Sequence, residues 1–68
     1  MQIRVFVDKE NKNKQIELKD NATVSDMLSA LNINPVTVIV VKNKEIVMQN
    51  EHISIKDEIK ILSVVSGG

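Results

Sequence analysis

The sequence has no cysteine, tryptophan or tyrosine, one phenylalanine, one proline and two glycines among its 68 residues. The absence of cysteine excludes disulfides, thiolate zinc sites, iron–sulfur clusters and cysteine nucleophiles. With Phe6 as the only aromatic residue, the chain has no surface on which nucleic-acid bases could stack. Nine basic and nine acidic side chains cancel, so the chain also has no excess of positive charge with which to bind nucleic-acid phosphates. We therefore expect no nucleic-acid partner.

The length limits the chain to one small domain. A domain of this size buries about 60% of its unfolded surface, which leaves little room for a substrate pocket of about 300–1,000 Å³. The longest aliphatic run is Val38 to Val41, far too short for a membrane span. Met1 leads directly into a strand pattern, so we expect no signal segment and a cytoplasmic location. We also expect that the chain makes no contact with a membrane and is a monomer when free.

Apolar residues alternate over Gln2–Asp8 and again over Gln15–Lys19. Period-two alternation predicts two half-buried strands joined as a hairpin. The polar segment Asp8–Lys14 between them predicts the turn. There, Asn11 and Asn13 can adopt the left-handed backbone that glycine would otherwise supply.

A single amphipathic helix is predicted to begin at Thr23. The Thr23 hydroxyl can accept a hydrogen bond from the first turn, and Asp26 stands where the acid of a capping box belongs. Asn32 and Asn34 with Pro35 end the helix, because proline disfavours helical backbone in the residue before it. Its apolar face has helical spacing and consists of Val24, Met27, Leu28 and Leu31.

The rest of the chain predicts three more strands. The β-branched run Val36–Val41 is typical of a strand that is covered on both faces or central in a sheet. Asn43-Lys44 predicts a two-residue turn into a short strand, Glu45–Met48. The last strand is predicted over Glu58–Val65.

Between these strands, Gln49–Lys56 is irregular, with Ile53 and Ile55 expected to plug the core. One helix can cover only one face of the sheet. The sequence therefore predicts an α+β fold, a mixed four- to five-stranded sheet with one main helix on one face. The first and last strands pair in parallel at its centre, as in a β-grasp domain.

The strand alternation sends Phe6, Leu62 and Val64 to the helix-free face. Single exposed apolar residues are common, but a cluster more often marks a partner site. We predict that these three residues form a partner interface.

No catalytic constellation is recognisable. His52 lies in a polar stretch without a second histidine and is best read as a solvated loop residue. Asp57 and Glu58 are adjacent and would point to opposite sides of an extended chain, which argues against a carboxylate pair. Without internal glycines no phosphate-binding loop is possible. We expect no catalytic, cofactor or metal site within this chain.

Both glycines are the last two residues of the sequence. We expect a folded domain over residues 1–65 and a flexible tail, Ser66-Gly67-Gly68. Without a Cβ, Gly67 and Gly68 can thread a channel too narrow for side chains. The Gly68 carboxylate is ionised at neutral pH and becomes chemically useful only if another enzyme activates it.

These features resemble the ThiS/MoaD family of sulfur carriers, ubiquitin-like β-grasp proteins with a C-terminal Gly-Gly. The chain departs from the family pattern at Lys44, which replaces a turn glycine, and at Lys56, which stands where a Gly-Asp turn is common. The stretches that carry the resemblance are Met1-Gln2-Ile3-Arg4-Val5, Asn43-Lys44-Glu45-Ile46-Val47, Asp57-Glu58-Ile59-Lys60-Ile61 and Val64-Val65-Ser66-Gly67-Gly68.

The resemblance implies a protein cosubstrate rather than an enzyme. An adenylating enzyme of the ubiquitin-activating type would bind Phe6, Leu62 and Val64. It would convert Gly68 to an acyl-adenylate with Mg-ATP that is bound by the enzyme and not by this chain. A persulfide donor would replace AMP and leave a thiocarboxylate. A synthase would then pass the sulfur to a thiazole, a molybdopterin precursor or a tRNA base.

Two alternatives stay open. The chain could be a ubiquitin-like modifier whose Gly68 forms isopeptide bonds with lysines of target proteins, after the same activation. It could also be a non-covalent β-grasp interaction module with an inert tail.

Overall fold

The computed structural model describes residues 1–64, which form five strands, one α-helix and two short 3-10 helices. The predicted order of two strands, a helix and three strands is confirmed. The elements are β1 (Gln2–Val7), a 3-10 helix (Asp8–Glu10), β2 (Lys12–Glu17), α1 (Val24–Ala30), a 3-10 helix (Pro35–Thr37), β3 (Val38–Lys42), β4 (Glu45–Val47) and β5 (Ile59–Ser63).

The five strands form one mixed sheet in the order β2-β1-β5-β3-β4. The first and last strands pair in parallel, with Val5 opposite Ile59 and Val7 opposite Ile61. All other neighbours are antiparallel. The predicted parallel pairing of β1 and β5 is therefore confirmed, and it places β5 in the middle of the sheet.

The core lies between α1 and one face of the sheet. Alternation in β1 buries every second residue, and α1 contributes three of the four residues predicted from its helical spacing. The fourth, Leu31, follows the helix and packs half-buried against this core. Burying such an aliphatic side chain contributes about 1.5–3 kcal/mol. The core residues are Ile3, Val5, Val7, Val24, Met27, Leu28, Val40, Ile53, Ile59 and Ile61.

The capping box predicted at the start of α1 is present. The Thr23 N–H donates to Asp26 Oδ2 at 2.9 Å, and the Asp26 N–H donates to Thr23 Oγ1 at 3.3 Å. At the other end Asn32 takes a left-handed backbone, φ 60°, and the Ile33 N–H donates to the Leu28 carbonyl. The helix ends there because the reversed φ turns the chain away from the axis.

Left-handed backbone occurs at turns without glycine. Asn11 has φ 51° after the first 3-10 helix, and Asn43 and Lys44 have φ 54° and 72° in the two-residue turn between β3 and β4. The same prediction for Asn13 is wrong, because Asn13 lies within β2 opposite Phe6. The tight 3-10 helix shortens the turn, so β2 begins at Lys12 rather than at Gln15.

The segment before β3 differs from the prediction. Val36 was expected to open the strand, but it lies in the second 3-10 helix and is 78% exposed. The Asn34 side chain accepts a hydrogen bond from the Val36 N–H at 3.0 Å and, with Pro35, starts this helix. Of the two alternatives for this run, a strand covered on both faces is wrong, since only Val40 of β3 is buried. A place inside the sheet is confirmed, because β3 lies between β5 and β4.

Of the two expected core plugs, Ile53 is 3% exposed and confirmed, whereas Ile55 is 66% exposed and wrong. A turn causes the difference: the Ser54 N–H donates to Asp57 Oδ2 at 2.8 Å, and the Asp57 N–H donates to the Ser54 carbonyl. Ile55 lies inside this turn and faces solvent.

The last strand ends at Ser63, two residues before its predicted end. Val64 follows it, and the Val64 N–H donates to the Thr37 carbonyl at 3.1 Å. Val65 lies outside the described residues. No helix within residues 1–64 is long and apolar enough to cross a membrane.

Candidate functional site

The face of the sheet opposite α1 carries the side chains that the core does not use. Phe6 lies between the buried residues Val5 and Val7 of β1, so it points to this open face and is half-buried. Leu62 occupies the equivalent position on β5, next to the buried Ile61. The structure therefore places Phe6 and Leu62 on one face, as predicted.

The strand register fixes the spacing of these two residues. Phe6 is opposite Lys60 on β5, and Leu62 is two residues further along β5 on the same face. Phe6 and Leu62 thus lie on neighbouring strands, offset by one same-face position. Val64 is 49% exposed and follows the end of β5, so it stands at the margin of this group.

Three further apolar residues belong to the open face and were missed by sequence reasoning. Ile39 is opposite Leu62, and Val41 is opposite Lys60 on one side and Ile46 on the other. Alternation in β3 carried no usable signal for Ile39 and Val41. Every residue of Val38–Val41 is β-branched, so hydrophobicity alone could not show which ones face away from the helix.

We define the apolar stripe as the five residues Phe6, Ile39, Val41, Ile46 and Leu62. It crosses β1, β5, β3 and β4 on the helix-free side. Ile46 is 70% exposed and the other four are half-buried. A cluster of solvent-accessible apolar side chains on one face is typical of a protein interaction site.

A shallow depression of about 400 Å³ lies at the Phe6 end of the apolar stripe. It brings basic groups of β1 and β5, and acidic groups from the turn just before β5, beside the ring. Its lining residues are Arg4, Phe6, Asn13, Asp57, Glu58, Ile59 and Lys60.

A hydrogen-bonded cluster joins the β3–β4 turn to the start of β5. Asn43 Nδ2 donates to Asp57 Oδ1 at 2.9 Å, and Asn43 Oδ1 accepts from the Glu58 N–H at 2.9 Å. The Asn43 N–H also donates to the Glu58 carbonyl at 2.8 Å. Burial works to raise the pKa of Asp57, but the hydrogen bonds from Asn43 and from the Ser54 N–H outweigh it and hold this pKa below its ordinary value. The cluster fixes β3 and β5 beside each other.

A second and larger cleft, about 700 Å³, lies at the C-terminal end of α1. Its apolar lining includes Leu31 and Ile33, and charged residues Lys9 and Glu10 also line it. Glu10 is paired with Lys14 at 2.9 Å, and this hydrogen bond lowers the pKa of Glu10. Glu10 is the one acidic residue in this lining, and its carboxylate is thus already engaged by Lys14.

His52 has a structural role in the loop. Its Nδ1 lies 2.9 Å from the Asn21 carbonyl oxygen, and its backbone forms an isolated antiparallel bridge with Thr23. Among residues 1–64, no group of three or more histidine or acidic side chains is arranged to hold a metal ion.

The predicted tail residues Ser66, Gly67 and Gly68 lie outside the described residues. Their roles stay predictions. What the structure gives is the strand that leads towards them, since β5 is central and its last residue, Ser63, is followed by Val64 at the margin of the open face.

Comparison with known proteins supplies the remaining observations. The ThiS family model matches residues 3–68 of the chain. Sulfur carrier protein TtuB from Thermus thermophilus is 33% identical over 55 residues, which cover 81% of this chain and 85% of that protein. The crystal structure of SAMP1 from Haloferax volcanii matches with a TM-score of 0.77 at 19% identity and covers 100% of both chains. The predicted ubiquitin-like β-grasp fold is thereby confirmed.

Proposed function

The chain belongs to the ThiS/MoaD-like family of sulfur carriers, and on that premise we propose that it carries sulfur as a thiocarboxylate on Gly68. The observation that supports this proposal is the family match, which extends through residue 68 and so includes Ser66, Gly67 and Gly68. In this role the chain is a protein cosubstrate. It contributes an acyl carbon and a docking surface, whereas Mg-ATP and the catalytic groups belong to its partners.

The proposed chemistry has three steps. An oxygen of the Gly68 carboxylate attacks the α-phosphorus of ATP, and pyrophosphate leaves an acyl-adenylate behind. The terminal sulfur of a persulfide donor attacks the acyl carbon, and AMP leaves as an acyl disulfide forms. A second thiol then attacks the donor sulfur of that disulfide, becomes oxidised to a new disulfide, and releases the thiocarboxylate. The chain has no cysteine that could compete for the sulfur.

We propose that the activating enzyme docks on Phe6, Leu62 and Val64, together with the rest of the apolar stripe. An extended chain spans at most about 3.6 Å per residue, so the four residues that follow Val64 have a reach of at most roughly 14 Å. An enzyme seated on the open face would therefore have its nucleotide site within that reach. Glycines at positions 67 and 68 suit a narrow channel, because they bring no side chain to it.

The thiocarboxylate sulfur is nucleophilic and would be passed on by a sulfur-accepting synthase. A thiazole, a molybdopterin precursor and a tRNA base are the acceptors that the proposal covers. We place this activity in the cytoplasm, where an adenylating enzyme has access to ATP.

Intact mass spectrometry of the protein purified from its native host tests the proposal. We expect a fraction of the chain to show a single oxygen-to-sulfur exchange that is lost when Gly68 is deleted. Gly-Gly remnants on lysines of other proteins, without that exchange, would favour the protein-modifier alternative. Full function in cells that carry only the Gly68 deletion would overturn both and leave the non-covalent module.

A further inference from the structure

A charged residue stands in the middle of the apolar stripe. Lys60 is exposed and lies on the open face of the central strand β5. Its cross-strand neighbours are Phe6 on β1 and Val41 on β3, and Leu62 is the next same-face residue along β5. Any partner that covers Phe6, Val41 and Leu62 must therefore also cover Lys60.

Lys60 forms no ion pair within residues 1–64, although six other pairs are present there. The nearest charged groups of the open face line the Phe6 depression. Of these, Asp57 is engaged by Asn43 and Ser54, and Arg4 has the same sign as Lys60. Glu58, just before β5, is the other acidic residue of this depression, and it belongs to none of the six ion pairs.

Burying an ammonium group against an apolar surface without a counter-charge is costly. A docking surface made only of apolar groups would thus be complementary to the apolar stripe but would leave the Lys60 ammonium group buried without a counter-charge. A carboxylate placed over Lys60 removes the conflict and also fixes the position of the partner on the sheet.

We infer that Lys60 is a specificity-determining residue of the docking face and pairs with a carboxylate of the adenylating enzyme inside an otherwise apolar interface. This inference rests on the proposed function, because it assigns a partner to the same face. It adds the chemistry of that partner's surface: apolar groups around one acidic side chain that lies opposite the centre of the sheet.

The test compares Lys60 variants in ATP–pyrophosphate exchange with the host's purified adenylating enzyme. The readout is the carrier concentration that gives half-maximal exchange. Lys60→Met keeps the apolar stem and removes the charge, which leaves the enzyme's carboxylate buried and unpaired. We expect this concentration to rise by at least about 30-fold, from the 2 kcal/mol or more that breaking such a pair costs. Lys60→Glu should raise it further, and Lys60→Arg should stay near the wild type.

Salt separates a charge pair from a packing effect. For the wild type, the half-maximal concentration should rise as KCl increases, because salt screens the attraction. For Lys60→Met it should be nearly independent of KCl. Lys56→Glu is the matched control, since Lys56 is an exposed lysine outside the apolar stripe and should change the half-maximal concentration by less than about twofold.

Glu58→Gln tests the competing explanation that Glu58 turns to Lys60 on docking. Our inference expects unchanged or tighter docking for this variant, because a second carboxylate near the enzyme's own is removed. Weakening equal to that of Lys60→Met would overturn the inference. Unchanged or tighter docking of Lys60→Met itself would also overturn it while leaving sulfur carriage intact. If the wild type shows neither exchange nor thiocarboxylate, the proposed function fails.

Discussion

Asn43 combines a backbone role with a side-chain role, and two substitutions separate them. The residue has φ 54°, and its amide group donates to Asp57 and accepts from the Glu58 N–H. Asn43→Gly keeps a residue that tolerates this φ but removes both side-chain hydrogen bonds. Asn43→Ala removes the same two bonds and, unlike glycine, keeps a Cβ in left-handed backbone without the local side-chain hydrogen bonds by which asparagine tolerates it.

The magnitudes follow from these contacts. Each hydrogen bond contributes about 0.5–1.5 kcal/mol, and both are exposed to solvent, so the lower half of that range applies. We expect Asn43→Gly to destabilise the fold by about 1–2 kcal/mol. Left-handed backbone costs alanine about 1–2 kcal/mol more, because asparagine tolerates this φ and alanine does not, so Asn43→Ala should lose about 2–4 kcal/mol in total. At about 4–8 °C per kcal/mol for a domain of this size, the two Tm values should differ by several degrees.

Thermal unfolding followed by circular dichroism, with urea unfolding as a second measurement, checks this prediction. Asp57→Ala removes one partner, and the double variant with Asn43→Ala gives the coupling between the two side chains. Equal stability of Asn43→Gly and the wild type would refute the reasoning, since it would show that the amide contacts contribute nothing. Equal stability of the Gly and Ala variants would refute the backbone part alone.

The same cluster predicts an acid sensitivity. The pKa of Asp57 lies below its ordinary value of 3.8 in the folded chain, because its hydrogen bonds outweigh its burial. A carboxylate with a lowered pKa stabilises the fold above its unfolded pKa, and that contribution disappears as the pH falls through the folded pKa. The wild type should thus lose stability below about pH 4 more steeply than Asn43→Gly, as measured by Tm against pH.

Three shorter predictions concern other elements. Thr23→Ala removes the cap of α1 and should lower stability by about 1 kcal/mol, seen as a Tm lower by about 4–8 °C; an unchanged Tm would refute the cap's contribution. Ile53→Ala should cost about 2–5 kcal/mol in urea unfolding, whereas Ile55→Ala should stay within about 0.5 kcal/mol, and equal losses would contradict the burial difference. Leu62→Asp should leave the fold intact and abolish ATP–pyrophosphate exchange. Val36→Asp makes the same kind of apolar-to-acidic substitution at a residue outside the open face, and this variant should support normal exchange.

Local features were predictable where a short stretch of chain decides them. The capping box depends on Thr23 and Asp26, three residues apart, and both hydrogen bonds form as expected. The two-residue turn at Asn43-Lys44 is another case, since its backbone needs only residues that tolerate positive φ. The alternation of β1 likewise assigned Phe6 to the face opposite the core.

The errors arose where local patterns were ambiguous. In Val36–Val41 every residue except Thr37 is a β-branched hydrocarbon, so periodicity could not tell the half-buried Val41 from the buried Val40. Ile53 and Ile55 are the same residue type and lie two positions apart. This is the spacing expected in a strand that buries both side chains on one face. Only the turn closed by Asp57, which removes Ile55 from the core, distinguishes them.

The sequence by itself determined the order of the strands and the α-helix, the cap of that helix, the absence of thiol chemistry and the family signature, because each depends on residue identity or on spacing within a few residues. The tertiary structure decided the register that sets Leu62 opposite Ile39 and Lys60 between Phe6 and Val41. Such pairings join residues that are distant along the chain, and they are chosen by packing all strands against one helix at once. Alternation alone assigns Lys60 to the same face as Leu62, but neither the extent of the apolar stripe nor the position of this lysine at its centre could be predicted from local patterns.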